Sequence, residues 1–341
     1  MKRSIAVLFV LAVLGCVLSK GAEAQTSCTV SFTIGSFCTP NCLQNQPPNT
    51  VCDNPCINFC GCHYTTNACS PPAAASETCT HCLTGGRPID LATGNTFITQ
   101  TDLSLPGLGG GLTLARTWNS IWPATQTGMV NFMFGPNWVS TYQERIFSGS
   151  DGYIKYARND GSFWSFGVIS AGSTTTYGTA APANAGATLT TGATNWTVTF
   201  KNGEKRLFDN TSGSLKSIID RNGNTTQLSY DGQNRLTTVT DPASRHLNFT
   251  YVNSSSFLVS GVTSDAGISL SYAYDAQGRL SQVTRPDNTT LSFQYDTHSN
   301  ITAVLDTNGK VLESHTYDSS NRGITSSRAN GVESLTVTYP H

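Results

Sequence analysis

The amino-acid sequence predicts an all-β protein in which repeated β-hairpins stack into an extended, curved antiparallel sheet, behind a small disulfide-rich N-terminal segment. Three observations carry this expectation. An aromatic residue, usually followed by Asp, recurs at Phe208-Asp209, Tyr230-Asp231, Tyr251-Val252, Tyr274-Asp275, Tyr295-Asp296, Tyr317-Asp318 and Tyr339-Pro340, in steps of 22, 21, 23, 21, 22 and 22 residues. A fixed period of that size marks a stacked repeat architecture. Ahead of the aromatic, apolar residues alternate, as in Leu247-x-Phe249-x-Tyr251, Leu270-x-Tyr272-x-Tyr274 and Leu291-x-Phe293-x-Tyr295, which puts them on one face of a strand. Charged residues make up only 12% of the 341, with a net charge of −1, a balance that suits an extracellular β protein and gives no electrostatic case for a nucleic-acid partner.

Each repeat reads as a hairpin. After the aromatic-Asp pair comes a polar turn ending in Gly or Asn and often Arg, such as Gln277-Gly278-Arg279 or Gln233-Asn234-Arg235. A second apolar run follows, such as Leu236-x-x-Val239, Leu280-x-x-Val283 or Ile301-x-x-Val304. Turns such as Asp220-Arg-Asn-Gly223 and Asp306-Thr-Asn-Gly309 close the unit, because Asp, Asn and Gly tolerate left-handed backbone or bond it locally. A lone hairpin cannot bury its apolar face, so neighbouring units must stack.

These residues resemble the YD repeats of the RHS (rearrangement hot spot) family, most closely at Tyr274-Asp-Ala-Gln-Gly-Arg-Leu-Ser-Gln-Val-Thr284 and then at residues 230–240. The repeat-defining residues are Phe208, Asp209, Tyr230, Asp231, Tyr251, Tyr274, Asp275, Gly278, Arg279, Tyr295, Asp296, Tyr317 and Asp318. The resemblance implies a long β-sheet that spirals into a hollow shell in full-length members. It also implies association with bacterial competition, cell contact and carbohydrate binding, larger members enclosing a C-terminal toxin.

Taken from the N-terminus, the chain divides into residues 1–24, 25–84, 85–165, 166–207 and 208–341. Lys2-Arg3, a nearly unbroken apolar run from Ile5 to Leu18, and Ala22-Glu23-Ala24 form a secretory signal, cleaved after Ala24. No integral membrane span is expected once it is removed. Val13-Leu14-Gly15-Cys16 is a loose match to a lipoprotein cleavage box, so lipidation at Cys16 is the lesser alternative. Residues 25–84 hold Cys28, Cys38, Cys42, Cys52, Cys56, Cys60, Cys62, Cys69, Cys79 and Cys82. An even count in a short exported stretch reads as a disulfide framework, of undetermined pairing. Zinc on Cys60, Cys62, Cys79 and Cys82 with His63 and His81, and a redox role for Cys79-Thr-His-Cys82, are weaker readings in an oxidising compartment.

Residues 85–165 form a pre-repeat β domain. Its segments Pro88-Ile-Asp-Leu-Ala-Thr-Gly-Asn95, Leu112-Thr-Leu-Ala-Arg-Thr-Trp-Asn-Ser120 and Gly135-Pro-Asn-Trp138 are similar to the domain that precedes the repeats in RHS-like proteins, with Trp118 where Tyr is usual. Leu112-x-Leu114-x-Arg116-x-Trp118 alternates as a strand, and Trp118 and Trp138 are the large core fillers. Residues 166–207 continue as hairpins around a Ser/Thr/Ala/Gly-rich stretch at 170–194, read as loop or weak strand. The Trp196–Phe208 hairpin should share one sheet with the repeats. The unit containing Glu313, His315 and Gly323 breaks the pattern, which predicts a frayed or solvent-facing hairpin. The sequence stops at Tyr339-Pro340-His341, where another unit should begin, as in a short form or a truncated gene.

No active site stands out. The histidines are scattered and no nucleophile elbow is present. Asp220-Arg-Asn-Gly-Asn224 and Asp306-Thr-Asn-Gly309 lack the spaced ligands of a calcium loop, and no cofactor is expected. The leading reading is therefore an exported, non-enzymatic scaffold for carbohydrate or cell-surface protein contact. The first alternative is the front end of an RHS toxin-delivery protein, with further repeats or a toxin encoded separately. A secreted hydrolase is the second, and it needs carboxylates paired across a cleft rather than one per turn.

Overall fold

The structure, a computed structural model, describes residues 51–52, 62–63, 84–85, 89–121, 132–171, 174–328 and 331–339. The predicted signal, the lipidation box and most of the cysteine-rich segment lie outside the described residues. Two short antiparallel pairs come first, β1 (Val51–Cys52) with β2 (Cys62–His63) and β3 (Thr84–Gly85) with β4 (Ile89–Asp90). The pre-repeat sheet follows, in the order β5 (Phe97–Leu105), β6 (Leu112–Asn119) and β7 (Trp138–Ser140).

The long sheet begins with β8 (Arg145–Ser148), β9 (Ile154–Ala157) and β10 (Phe163–Ser170). It runs on through β11 (Thr176–Ala181), β12 (Thr188–Thr191), β13 (Asn195–Thr199) and β14 (Lys205–Asp209). The Ser/Thr-rich stretch, expected as loop or weak strand, supplies two strands, β11 and β12. Next come β15 (Leu215–Ile219), β16 (Thr225–Tyr230), β17 (Leu236–Thr240) and β18 (His246–Tyr251). The series ends with β19 (Val259–Ser264), β20 (Ser269–Tyr274), β21 (Leu280–Thr284), β22 (Thr290–Tyr295), β23 (Ile301–Leu305), β24 (Val311–Tyr317), β25 (Gly323–Arg328) and β26 (Val332–Thr336). Every strand pairs antiparallel with its neighbours in sequence, so residues 145–336 form one sheet of 19 strands. The all-β reading and the shared sheet both hold.

Two features bend this ribbon. A register slip falls immediately before each repeat aromatic, at Leu207/Phe208, Ser229/Tyr230, Thr250/Tyr251, Ala273/Tyr274, Gln294/Tyr295 and Thr316/Tyr317. Bulges of this kind raise the local twist and bend the strand that carries them. The sheet also closes on itself, and β8 touches the turn before β15. Arg145 bridges Ser214, and the Ile146 N–H donates to the Gly213 carbonyl at 2.9 Å.

The pre-repeat sheet lies across the apolar face of the repeats, and the two share one core. The crossing is ordered. At one end Arg245 Nη2 donates to the Pro106 carbonyl at 3.0 Å. Phe134 then packs on Tyr272 (ring centroids 4.8 Å), Trp138 on Phe293 (5.3 Å) and Trp118 on Tyr317 (6.2 Å). At the far end the Gly323 N–H donates to the Gly94 carbonyl at 2.8 Å. Trp118 and Trp138 are both 0% exposed, as expected of core fillers. Truncating such a ring costs about 3–5 kcal/mol.

One expectation fails. Glu313 and His315 do not face solvent, being 5% and 2% exposed. The pre-repeat domain reaches this repeat and covers it. A β-carbon on Gly323 would overlap Thr96 Oγ1 and stand 3.0 Å from two carbons of Ile89. The glycine that interrupts the repeat grammar is therefore the seat of a docking contact.

Candidate functional site

The repeat tyrosines act on backbone, each in the same way. Tyr230, Tyr251, Tyr274, Tyr295, Tyr317 and Tyr339 donate their hydroxyls at 2.7–2.8 Å to the carbonyls of Leu215, Leu236, Val259, Leu280, Ile301 and Gly323. Each tyrosine thus grips the first inward residue of the preceding hairpin's second strand. Burial pushes these phenols up, Tyr295 to about 12, so they stay neutral donors. Phe208, without a hydroxyl, is simply buried at 0% exposure.

The aspartates cap turns. Asp231 Oδ1 accepts the N–H groups of Gln233 and Arg235, and its Oδ2 accepts from Arg235 Nε at 2.7 Å. Asp275 with Arg279 and Asp318 with Arg322 repeat this arrangement, while Asp209 and Asp296 cap turns that carry no arginine. Burial works against the charge of Asp231 and Asp275, yet the turn N–H groups and the arginine hold both below the usual carboxylate range. Gly278 (φ 74°) supplies the left-handed corner of its turn, a conformation that costs glycine little.

The arginines then reach forward. Arg235, Arg279 and Arg322 lie over the rings of Tyr251, Tyr295 and Tyr339 at 4.6, 4.7 and 4.3 Å. Ser214, Leu258 and Asn300 occupy the corresponding position in the intervening repeats, so the cap recurs in every second unit. Asp220 and Asp306 are likewise engaged by their own turns. Among the described residues, no group of three or more His, Cys, Asp or Glu side chains is placed to hold a metal. The cysteines and His81 named as zinc or redox candidates lie outside the residues whose side chains are described.

Two buried charge clusters were missed in the sequence. Arg116, 0% exposed, donates through Nε and Nη2 to Asp102 at 2.5 and 2.8 Å. Tyr272 donates to the same carboxylate at 2.8 Å, and Trp138 covers the guanidinium at 4.7 Å. Burial lowers the Arg116 pKa, but the Asp102 charge outweighs it and the net direction is up. The available signal was the place of Arg116 on the apolar phase of its strand. In the second cluster Glu144 accepts from Tyr156 at 2.7 Å and from Arg206 Nε at 3.1 Å. Burial raises the Glu144 pKa, offset in part by Arg206.

The inner face is filled by apolar residues of the chain itself, and the outer face of the sheet is polar. Ladder partners across it read Ser229, Thr238, Asn248, Thr263, Ser269 in one row and Thr250, Gly261, Ser271, Thr284, Thr290 in another. Neither row contains a charge. Hydroxyl and amide side chains bond between neighbouring strands on this face, as in Thr238 to Asn248 at 3.2 Å, Gln282 to Ser292 at 3.4 Å and Thr316 to Thr325 at 2.6 Å. No described helix is long and apolar enough to cross a membrane.

Two family models match the chain. "Domain of unknown function (DUF6531)" covers residues 86–166, and "RHS Repeat" covers 210–246, 258–290 and 274–311. The chain is 30% identical over 146 residues to the tRNA nuclease WapA of Bacillus subtilis (strain 168) and to the tRNA3(Ser)-specific nuclease WapA of Bacillus spizizenii. The match takes in 43% of this chain and 6% of either relative. The crystal structure of TcdB2-TccC3 without its hypervariable C-terminal region aligns with 56% of this chain and 11% of its own, at a TM-score of 0.27 and 13% identity.

Proposed function

Because the chain belongs to the RHS (rearrangement hot spot) repeat family, we propose that it serves as an exported, non-enzymatic β-repeat scaffold whose outer sheet face contacts carbohydrate at a cell surface. The observation that carries this reading is how the side chains are spent. The turn aspartates cap backbone, the tyrosines latch successive hairpins, and the inner apolar face holds the pre-repeat sheet. Among the described residues, the outer face then offers a partner two uncharged rows of hydroxyl and amide side chains. Such a face offers donors and acceptors together, matching the hydroxyls of a neutral glycan, and a net charge of −1 gives no pull on phosphate backbones. The signal segment and the ten cysteines of residues 28–82 support export to an oxidising compartment.

Glycan-array binding of the exported protein tests this reading. Binding to neutral glycans should resist salt and vanish when Thr250→Lys and Ser271→Lys put charges on the face. An array without binding would sink the carbohydrate assignment, and turnover of any substrate lost on mutating Asp231 or Asp275 in a still-folded protein would sink the non-enzymatic one.

A second reading rests on the similarity to the WapA nucleases. In it this stretch is the front of an RHS toxin-delivery protein, and the repeats house a toxin carried elsewhere. Cleavage of tRNA by the purified 341-residue chain would contradict both readings, since each assigns these residues a carrier or contact role.

A further inference from the structure

Arg145 is the first residue of the long sheet and bridges Ser214 in the turn before β15. Its Nη2 donates to the Ser212 carbonyl at 2.7 Å. Its Nε is buried without a partner, and a β-carbon on Gly213 would stand 3.4 Å from it. Among the described residues eight other arginines pair with a carboxylate: Arg116, Arg158, Arg206, Arg235, Arg245, Arg279, Arg322 and Arg328. Arg145, like Arg221 and Arg285, has no such pair, and of these three Arg145 has the buried Nε without a partner.

The acids nearby are already engaged. Glu144 turns to Arg206 and Tyr156, Asp231 holds Arg235, and Asp209 caps the Thr211–Ser212 turn. Burial accordingly pulls the Arg145 pKa down, opposed only by the neighbouring Tyr230. A partly buried cation without a counter-charge is costly to maintain.

Arg145 also lines a cleft of about 50 Å³ with Ser214, Tyr230, Asn234, Arg235 and Glu144, whose Oε2 accepts from Tyr156 and Arg206. Asn234 Nδ2 donates to Ser214 Oγ at 2.9 Å and fixes one wall. A space of that size admits about three or four waters, which suits a carboxylate or phosphate group. We propose that this cleft binds a small oxyanion, a carboxylate- or phosphate-sized group, with Arg145 supplying the charge that the protein leaves unpaired. Its occupant would tie β8 to the Ser212–Ser214 turn.

The test is a titration of the full chain with sodium acetate and with inorganic phosphate, each against sodium chloride at equal ionic strength. It is read by NMR at the Arg145 Nε–H and the amides of residues 212–214. Binding predicts saturable shifts at these groups, and in Arg145→Gln an affinity about tenfold weaker or worse at the remaining amides. Saturation by acetate alone assigns a carboxylate ligand, and by phosphate alone a phosphate. Shifts that never saturate, or that chloride reproduces, would mean an adventitious ion only and would overturn the proposal. Should Arg145→Gln fail to fold, the wild-type titration still decides.

Discussion

The guanidinium of Arg279 lies 4.7 Å above the ring of Tyr295, while its Nε holds Asp275 at 2.6 Å. One side chain thereby joins the turn of one repeat to the aromatic of the next. Tyr295 completes the link by donating to the carbonyl of Leu280, the residue after Arg279.

Breaking this link should be felt at both ends. Arg279→Ala should cost about 1–2 kcal/mol, from the ring contact and the charged hydrogen bond together. Tyr295→Phe, which leaves the Leu280 carbonyl without its donor, should cost about 1 kcal/mol. The double variant should lose less than the sum, because the two residues share one link. Urea denaturation of the three variants measures this, and strict additivity would contradict it.

The buried pair of Arg116 and Asp102 predicts a stronger asymmetry. Asp102→Ala strands a guanidinium that is 0% exposed and should cost about 3–5 kcal/mol. Replacing both partners, Asp102→Leu with Arg116→Met, should recover most of that loss, since apolar substitutes of similar volume avoid the stranded charge. Thermal unfolding of the single and double variants checks the sign.

His315 is 2% exposed, neither ring nitrogen finds a partner, and burial lowers its pKa to about 4. The folded state therefore favours the neutral ring. Below the ordinary value of 6.5 the unfolded chain takes up a proton that the folded chain refuses. Stability should fall as pH drops from about 6.5 toward about 4, by up to about 3 kcal/mol. The turn aspartates have lowered values, so their contribution disappears only as pH falls below the ordinary carboxylate range. His315→Phe should flatten the upper window and leave the lower one. Chemical denaturation at a series of pH values separates the two.

Gly323 stands where other repeats carry Leu236 or Leu280, so restoring Leu looks like an improvement by repeat consensus. The structure predicts the opposite, since even a β-carbon there meets Thr96 and Ile89. Gly323→Ala should cost about 1–3 kcal/mol. Adding Ile89→Ala should relieve part of the overlap, and a measured gain from Gly323→Leu would refute the docking account.

Much of this was readable in the residues themselves. The spacing of Tyr230, Tyr251, Tyr274 and Tyr295 gave the hairpin unit, and alternation at Leu112, Leu114 and Trp118 gave the pre-repeat strand. Both signals are local, because side-chain period and turn chemistry act within a few residues. What escaped was long-range. Glu313, His315 and Gly323 read as a failing repeat because nothing nearby in sequence announces that the pre-repeat domain will dock on this unit, with Ile89, Gly94 and Thr96 against Gly323. Arg116 sat on the apolar phase in plain view, yet its partners Asp102 and Tyr272 lie 14 and 156 positions away, by subtraction of their numbers. The outer hydroxyl rows likewise need the strand register before they become rows.

The arginine caps at 235, 279 and 322, absent at 214, 258 and 300, have a consequence for how such an array can lengthen or shorten. Duplication or loss of a double unit keeps capped and uncapped turns in alternation, whereas a single-unit change sets two alike side by side. Growth by twos should therefore leave a sound seam, and growth by ones a fault line where opening begins.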